Sequence, residues 1–211
     1  MTRVLIVDDH MIIRRGLAQI LAEEPRLSHI AEAADGPATL HKLRAGAFDV
    51  VLLDIALGDR DGLDVLKAIR SEFPALGVIM LSVYPESQFG VRAIRSGASA
   101  YLNKGCSPEE LFAALFKVAA GGVFITPGIA ELLAQNVRRD AERAPHESLS
   151  NREFQVLQLL AQGRTISQIA LQLSLSVNTI STYRGRICEK LSVGSTMEIL
   201  SYVSRHNMLP V

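Results

Sequence analysis

Long apolar runs are missing from this 211-residue chain. No stretch approaches the roughly 20 consecutive apolar residues that a membrane helix needs. The first apolar run is cut at Asp8 and Asp9, so the basic-then-apolar layout of an export signal is absent as well. Cysteine is scarce. Cys106 and Cys188 stand far apart with no CxxC spacing and no Cys/His clustering, which argues against a disulfide framework and against a zinc site. Neither GxxxxGK[ST] nor GxGxxG follows the first predicted strand, so a nucleotide cofactor is not expected. Excess charge of either sign is also lacking: 22 Lys+Arg face 22 Asp+Glu, and a net charge of zero gives nucleic acid little long-range attraction. These absences predict a soluble, cytoplasmic protein with no membrane partner.

What remains is an ordinary globular composition, 48% apolar and 21% charged, able to bury a core and far from the signature of disorder. The zero charge is a sum of unlike parts. Residues 1–125 carry 13 basic and 15 acidic side chains, a net of −2; residues 126–148 carry 3 and 4, a net of −1; residues 149–211 carry 6 and 3, a net of +3. An acidic front and a basic back imply two domains with different partners.

In the front part, Arg3 to Val7 is a short apolar run that fits a strand buried on both faces. Similar runs recur at Ile30 to Ala34, Asp49 to Leu53, Val78 to Leu81 and Ala100 to Leu102. Between them lie helix-length segments with apolar spacing of three and four, such as Ile12, Ile13, Leu17, Ile20 and Leu21. Ser107-Pro108-Glu109-Glu110 reads as a capped helix start with a capping box. Five strands alternating with five helices predict an α/β doubly wound, five-stranded parallel sheet. Ligands of such sheets bind outside the carboxyl ends of the strands, where the sequence places Asp8-Asp9, Asp54, Ser82 and Lys104. Three clustered carboxylates raise one another's pKa. A divalent cation relieves that conflict, and Mg²⁺ suits a few carboxylates with room left for phosphate oxygens. A carboxylate nucleophile that takes up a phosphoryl group is the chemistry these residue types serve.

Asp8-Asp9 after strand one, Asp54-Ile55 ending strand three, Ser82 ending strand four and Tyr101-Leu102-Asn103-Lys104 at strand five give residues 1–122 a resemblance to the bacterial response-regulator receiver domain, whose fold is flavodoxin-like. The resemblance implies that Asp54 accepts phosphate from a sensor histidine kinase. It also implies a Mg²⁺ held by Asp9, Asp54 and the backbone carbonyl of Ala56, with Asp8 acting through water. Lys104 would pair with phosphoryl oxygens, Ser82 would move to hydrogen-bond one of them, and Tyr101 would rotate inward as Ser82 moves; the alternative for Tyr101 is a plain sheet aromatic. Two positions depart from the family pattern. Gly58 stands where Pro is usual, loosening the loop at Ala56, and Gly105 replaces the Pro that commonly follows the Lys. The departures keep open a receiver that is never phosphorylated and serves for docking or for sensing another signal. A turnover phosphatase of the haloacid-dehalogenase type would need a second Asp two residues beyond Asp54, and Ala56 stands there.

Residues 123–148 read as a linker: a short helical pattern from Ile129 to Val137, then the polar stretch 138–147 with its Pro145. Four helical segments follow in residues 149–211, three of them opened by capping boxes at Ser150/Glu153, Thr165/Gln168 and Ser195/Glu198. Thr165 to Leu173 and Val177 to Leu191, joined by a short turn, suggest a helix-turn-helix in a small all-α domain. On the second of these helices Ile180, Ile187 and Leu191 share one side, expected to be buried. Asn178, Ser181, Thr182 and Gly185 point away from it, flanked by Arg186 and Lys190, while Arg184 lies nearer the buried side and reaches a phosphate only by extending its stem. Small polar groups in the N-terminal half suit base edges, and cations further on suit phosphates.

Leu149-Ser150-Asn151-Arg152-Glu153, Ile169-Ala170, Asn178-Thr179-Ile180 and Ile187 through Val193 resemble the LuxR-type helix-turn-helix. Joined to a receiver, this makes the chain similar to NarL/FixJ-class response regulators over nearly its whole length. The resemblance adds Thr179 to the candidate contacts. Tyr183, where the family frequently has His, either touches a phosphate or packs. It further implies a transcription factor rather than an enzyme, in which phosphorylation controls dimerisation and binding to double-stranded DNA. A homodimer on two half-sites would make up for the small basic charge. The helix from Ser195, with Met197, Ile199, Leu200 and Val203, is the candidate dimer surface.

Overall fold

The computed structural model describes residues 1–57, 60–139, 145–206 and 208. Gly58 and residues 140–144 of the polar stretch lie outside them. The front part alternates as expected: β1 (Thr2–Val7), α1 (Met11–Ala22), β2 (Leu27–Ala33), α2 (Gly36–Ala45) and β3 (Val50–Asp54). A small antiparallel pair follows, β4 (Ala56–Leu57) and β5 (Arg60–Asp61), then α3 (Gly62–Glu72), β6 (Gly77–Ser82), α4 (Glu86–Arg95), β7 (Ala100–Asn103), α5 (Pro108–Ala119) and α6 (Pro127–Arg139). The main sheet has the order β2-β1-β3-β6-β7 and every pairing in it is parallel. Val50, Val51, Leu52 and Leu53 are all fully buried, because β3 lies centrally with helices on both faces, which is why its sequence is apolar without alternation. One face of the sheet packs Val4, Ile6, Leu52 and Ile79 on Leu111, Leu115 and Val118 of α5 and on Leu21 of α1.

The strand order places the site. From β1 the chain runs outward to β2, then returns past β1 to β3, so the direction of winding reverses between β1 and β3. That reversal opens a crevice at their carboxyl ends, and β1 runs out at Asp8-Asp9 while β3 ends at Asp54. A Cβ at Gly62 would lie 1.9 Å from the Asp54 carbonyl oxygen, so only glycine lets α3 begin there. Its amide donates to the Ile55 carbonyl at 2.8 Å, and the Asp61 carboxylate caps α3 by accepting from the Leu63 amide at 2.9 Å.

The apolar spacing of α1 does not translate into burial throughout. Leu21 is buried, but Met11 and Ile12 are 55% and 80% exposed. The first turn of α1 follows the rim of β1 directly and extends beyond the sheet face that buries Leu21.

Residues 1–133 form one compact unit and residues 134–211 a second. The boundary thus falls within α6, later than the linker start read from sequence. Phe124 bridges to Ala100 of β7, Thr126 donates to Glu86 Oε2 at 2.9 Å, and Ile129 is fully buried near Gly90 of α4. Those contacts draw residues 123–133 into the first unit.

The second unit contains a 3-10 turn (Pro145–Ser148), α7 (Asn151–Ala161), α8 (Ile166–Gln172), α9 (Val177–Leu191) and α10 (Thr196–Arg205). Capping boxes close at Ser150/Glu153 and at Thr165/Gln168. At Ser195 only the forward half forms: Ser195 Oγ accepts from the Glu198 amide, and the Glu198 carboxylate takes the Gly194 amide instead. The Ser107 box is likewise represented by the Glu110 amide donating to Ser107 Oγ. Between α8 and α9 the chain turns through Ser174 at φ 52°, a left-handed conformation that costs a non-glycine residue roughly 1–2 kcal/mol. Ile180, Ile187 and Leu191 of α9 face the core of this unit as expected.

Candidate functional site

At the carboxyl rim of the main sheet, Asp8 and Asp54 are 1% and 2% exposed. Lys104, just past β7, sets its ammonium 2.6 Å from Asp8 Oδ2 and 2.8 Å from Asp54 Oδ2. Burial pushes the Asp54 carboxyl up to about 6, and Lys104 only partly offsets this. Burial pulls Lys104 down, yet Asp54 and Asp8 together hold it above its ordinary value. Burial and the ion pair thus act on the two groups in opposite senses. Ala56, whose carbonyl was assigned to the metal, sits in β4 opposite Asp61, and its amide hydrogen-bonds the Asp54 carboxylate.

One donor atom each from Asp8, Asp9, His10 and Asp54 lie within 4.8 Å of one another. Oxygen donors at this density fit a divalent cation, because the mutual repulsion is relieved only by a positive charge. His10 was not singled out from sequence. Its signal was adjacency, since a residue directly after the acidic pair is carried to the same rim.

Ser82 is 1% exposed and its Oγ accepts the Tyr84 amide at 3.0 Å. Tyr101 is fully buried and donates its hydroxyl to the Tyr84 carbonyl at 2.8 Å. Burial raises its phenol well above the usual range. Tyr101 is thus turned inward, against the turn after β6. Both side chains hold the same turn after β6, and the Tyr84 ring continues the contact to Phe89 of α4 at 5.2 Å between centroids. Asn103 adds an amide contact at 3.4 Å to the Tyr84 carbonyl, and its Oδ1 accepts the Gly105 amide. Among the described residues no peptide bond is cis.

On the second unit, Asn178, Ser181, Thr182, Arg184, Gly185 and Arg186 of α9 are exposed, while Thr179 and Tyr183 are half-buried. Thr179 is engaged at the helix start with Ser176, and the Thr182 hydroxyl donates back to the Asn178 carbonyl at 3.0 Å. A Cβ at Gly185 would meet nothing within 4 Å. Arg184 is more open than its angular position suggested, with Nη1 3.5 Å from Thr196 Oγ1 on α10.

Lys190, read as a phosphate contact, is 37% exposed and also ion-paired within this unit. It donates to Glu153 Oε2 at 2.7 Å and to the Ser148 carbonyl at 3.3 Å. The Glu153 side chain is only 3% exposed. Burial pushes Glu153 up, but Lys190 and the Ser150 amide and hydroxyl together hold it below the usual range. The last turn of α9 runs beside the start of α7, where a buried carboxylate requires a cation, and that need was invisible in the helical spacing. Val203, a candidate for the dimer surface, is fully buried with Ile199 in the core of this unit; Leu200 is half-buried and Met197 is 77% exposed.

Comparison with known proteins defines the class. Residues 4–116 match the response regulator receiver domain, and residues 147–203 match the bacterial regulatory proteins of the luxR family. Over 199 residues the chain is 39% identical to the transcriptional regulatory protein UhpA of Escherichia coli K12, covering 94% of this chain and 96% of that one. It is 35% identical over 210 residues to the response regulator GacA of Pseudomonas aeruginosa, covering 99% and 98%. RcsB of Salmonella enterica serovar Typhimurium, solved bound to the promoter rprA with the phosphomimetic BeF3⁻, superposes with a TM-score of 0.60 at 25% identity, covering 97% and 99%. The chain belongs to the NarL/FixJ family: it is a two-component response regulator with a LuxR-type DNA-binding domain. Among the described residues no helix is long and apolar enough to cross a membrane.

Proposed function

We propose that Asp54 accepts a phosphoryl group from a sensor histidine kinase and that this controls dimerisation and DNA binding through α9. The observation that carries the reading is the buried Asp54 carboxylate at the end of β3, ion-paired with Lys104 and adjoined by Asp8 and Asp9. In the transfer, an Asp54 oxygen forms a bond to phosphorus while the bond from phosphorus to the kinase imidazole breaks, and the imidazole nitrogen takes up a proton. Lys104, already 2.8 Å from Asp54, stays to neutralise the new phosphoryl oxygens. A Mg²⁺ held by Asp9, Asp54 and the Ala56 carbonyl, with Asp8 behind a water, supplies further positive charge when bound. The exposed Met11 and Ile12 follow the acidic rim directly and offer an apolar seat for the donor protein.

The output follows from the turn after β6. When Ser82 turns its hydroxyl to a phosphoryl oxygen, it releases the Tyr84 amide. Tyr84 then moves with Phe89, and α4 carries Gly90 against Ile129 and Glu86 against Thr126 at the start of α6. The phosphoryl group acts by binding one arrangement of this path better than the other. In the second unit Asn178, Ser181, Thr182 and Gly185 meet base edges, and Arg184, Arg186 and the exposed part of Lys190 meet phosphates. Thr179 and Tyr183 contribute partly from packed positions. Two copies on two half-sites supply affinity that one modestly basic domain lacks, with Met197 and Leu200 as the remaining candidates for the dimer contact. The test is incubation with Mg²⁺ and a small phosphodonor, comparing wild type with Asp54→Asn by intact mass, sedimentation and DNA binding. Wild type should gain one phosphoryl mass and bind DNA more tightly as a dimer. No mass gain, or a gain with unchanged dimerisation and DNA affinity, would refute the reading.

A further inference from the structure

From Val177 to Tyr183, α9 carries no charged side chain, so the part of the helix that meets base edges has hydroxyls, an amide and apolar groups to offer. Several of those hydroxyls already have partners inside the helix. Ser176 Oγ accepts from the Thr179 amide at 3.0 Å and shares a hydrogen bond with Thr179 Oγ1 at 2.8 Å. Further out on the exposed face, Thr182 Oγ1 donates to the Asn178 carbonyl at 3.0 Å, the bond a helical threonine makes to the preceding turn.

That bond decides what Thr182 can say to DNA. A hydroxyl has a single hydrogen to give, and this one is directed at Asn178. Threonine carries a hydroxyl and a methyl on Cβ. With Oγ1 drawn back along the helix, Cγ2 is the substituent left to solvent on an exposed residue. Three residues on, a Cβ at Gly185 would meet nothing within 4 Å, and residues three apart are surface neighbours on a helix. The Thr182 methyl therefore stands beside an open slot. Pressed against an amino group or a ring nitrogen of a base, a methyl removes water and returns no hydrogen bond, whereas against another methyl it gains apolar burial.

We infer that Thr182 reads the C5-methyl of a thymine through Cγ2, and that the missing side chain at Gly185 lets the helix come close enough for that contact. The inference rests on the reading of α9 as the base-reading helix and specifies the chemistry of one of its positions. Among the bases only thymine presents a methyl in the major groove, so an apolar reader there selects thymine without a hydrogen bond. Asn178 and Ser181 remain the hydrogen-bonding readers on the same face.

The test lets the full chain select duplexes from a randomised library, with and without Mg²⁺ and a small phosphodonor, and then replaces each thymine of the selected duplex by uracil, which lacks only the methyl. Affinity is read by fluorescence anisotropy. Wild type should bind about fourfold more weakly when one particular thymine of a half-site becomes uracil, and this scan needs no variant. Thr182→Ser, which keeps the hydroxyl and loses the methyl, should bind thymine and uracil duplexes alike at that position. Thr182→Val, which keeps a methyl and loses the hydroxyl, should retain the preference. Circular dichroism melts check that both variants fold like wild type. A wild-type chain that selects a consensus yet tolerates uracil at every position would overturn the inference and leave α9 as the reader. Discrimination kept by Thr182→Ser and lost in Thr182→Val would also overturn it, assigning the readout to the hydroxyl. Selection of no consensus under either condition would overturn base reading by α9 and the inference with it.

Discussion

Asp54 is held as a buried anion at an energetic cost, and that cost is measurable. Burial pushes its carboxyl up to about 6 from an ordinary 3.8. Because the folded pKa is raised, protonated Asp54 is the form the fold prefers. Relative to that form the protein loses stability as pH climbs from about 4 through 6 and loses no more once Asp54 is fully ionised. A shift of roughly two units at about 1.4 kcal/mol per unit amounts to about 3 kcal/mol by neutral pH. Asp54→Asn keeps the shape and removes the titration. The stability difference between variant and wild type should therefore grow by about 3 kcal/mol in favour of the variant between pH 4 and pH 7.5, whatever Asn itself contributes at the acid end. With urea slopes of about 1–3 kcal/mol per molar, the midpoint gap should widen by about 1–3 M. The assay is urea unfolding in EDTA, read by pulse-labelling hydrogen exchange of β3 and β6 peptides. This follows the first unit alone and suits a chain without tryptophan. Saturating Mg²⁺ should close the gap, since the ion binds the folded anion and not the variant. A gap independent of pH in EDTA would refute the claim that burial dominates the Asp54 environment.

Further outcomes follow from the second unit. Gly185→Ala should raise the thermal stability of the helix-turn-helix by up to about 1 kcal/mol, because glycine in a helix interior is costly and an added Cβ meets nothing within 4 Å. The same variant should weaken DNA binding in titrations if the helix approaches DNA there, and unchanged affinity would remove Gly185 from the interface. Lys190→Ala should destabilise this unit by about 1 kcal/mol, since Glu153 loses a partly exposed cation but keeps the Ser150 amide. Calorimetry checks this, and a variant that melts like wild type would refute the contribution of the Glu153 pair. Ser174→Gly should stabilise the same unit by about 1 kcal/mol by relieving a left-handed residue. Arg186→Ala should weaken all DNA sequences and flatten the salt slope, whereas Thr182→Ala should change sequence preference; identical profiles would refute the division of the α9 face.

The sequence by itself determined the five strands of the main sheet, their alternation with helices and the residues that end them, though not the short β4–β5 pair. A strand buried on both faces is apolar without alternation, and its end is where polar chemistry begins. Asp8, Asp9, Asp54, Ser82 and Lys104 were legible for that reason, as were the cap residues Ser150 and Thr165, whose partners lie three positions away. Only the tertiary structure decided what depends on a neighbour distant in the chain. Lys190 meets Glu153 across 37 positions, Lys104 reaches Asp8 across 96, and Tyr101 is held inward by the Tyr84 carbonyl. Helical spacing could say that Arg186 and Lys190 flank a face, but not that Lys190 pairs with a buried carboxylate while Arg186 stays open. The need for glycine at position 62 likewise exists only because α3 starts against the backbone of Asp54. Periodicity follows from local geometry and is written in the order of residues, whereas the pairing of charges depends on which surfaces the fold brings together.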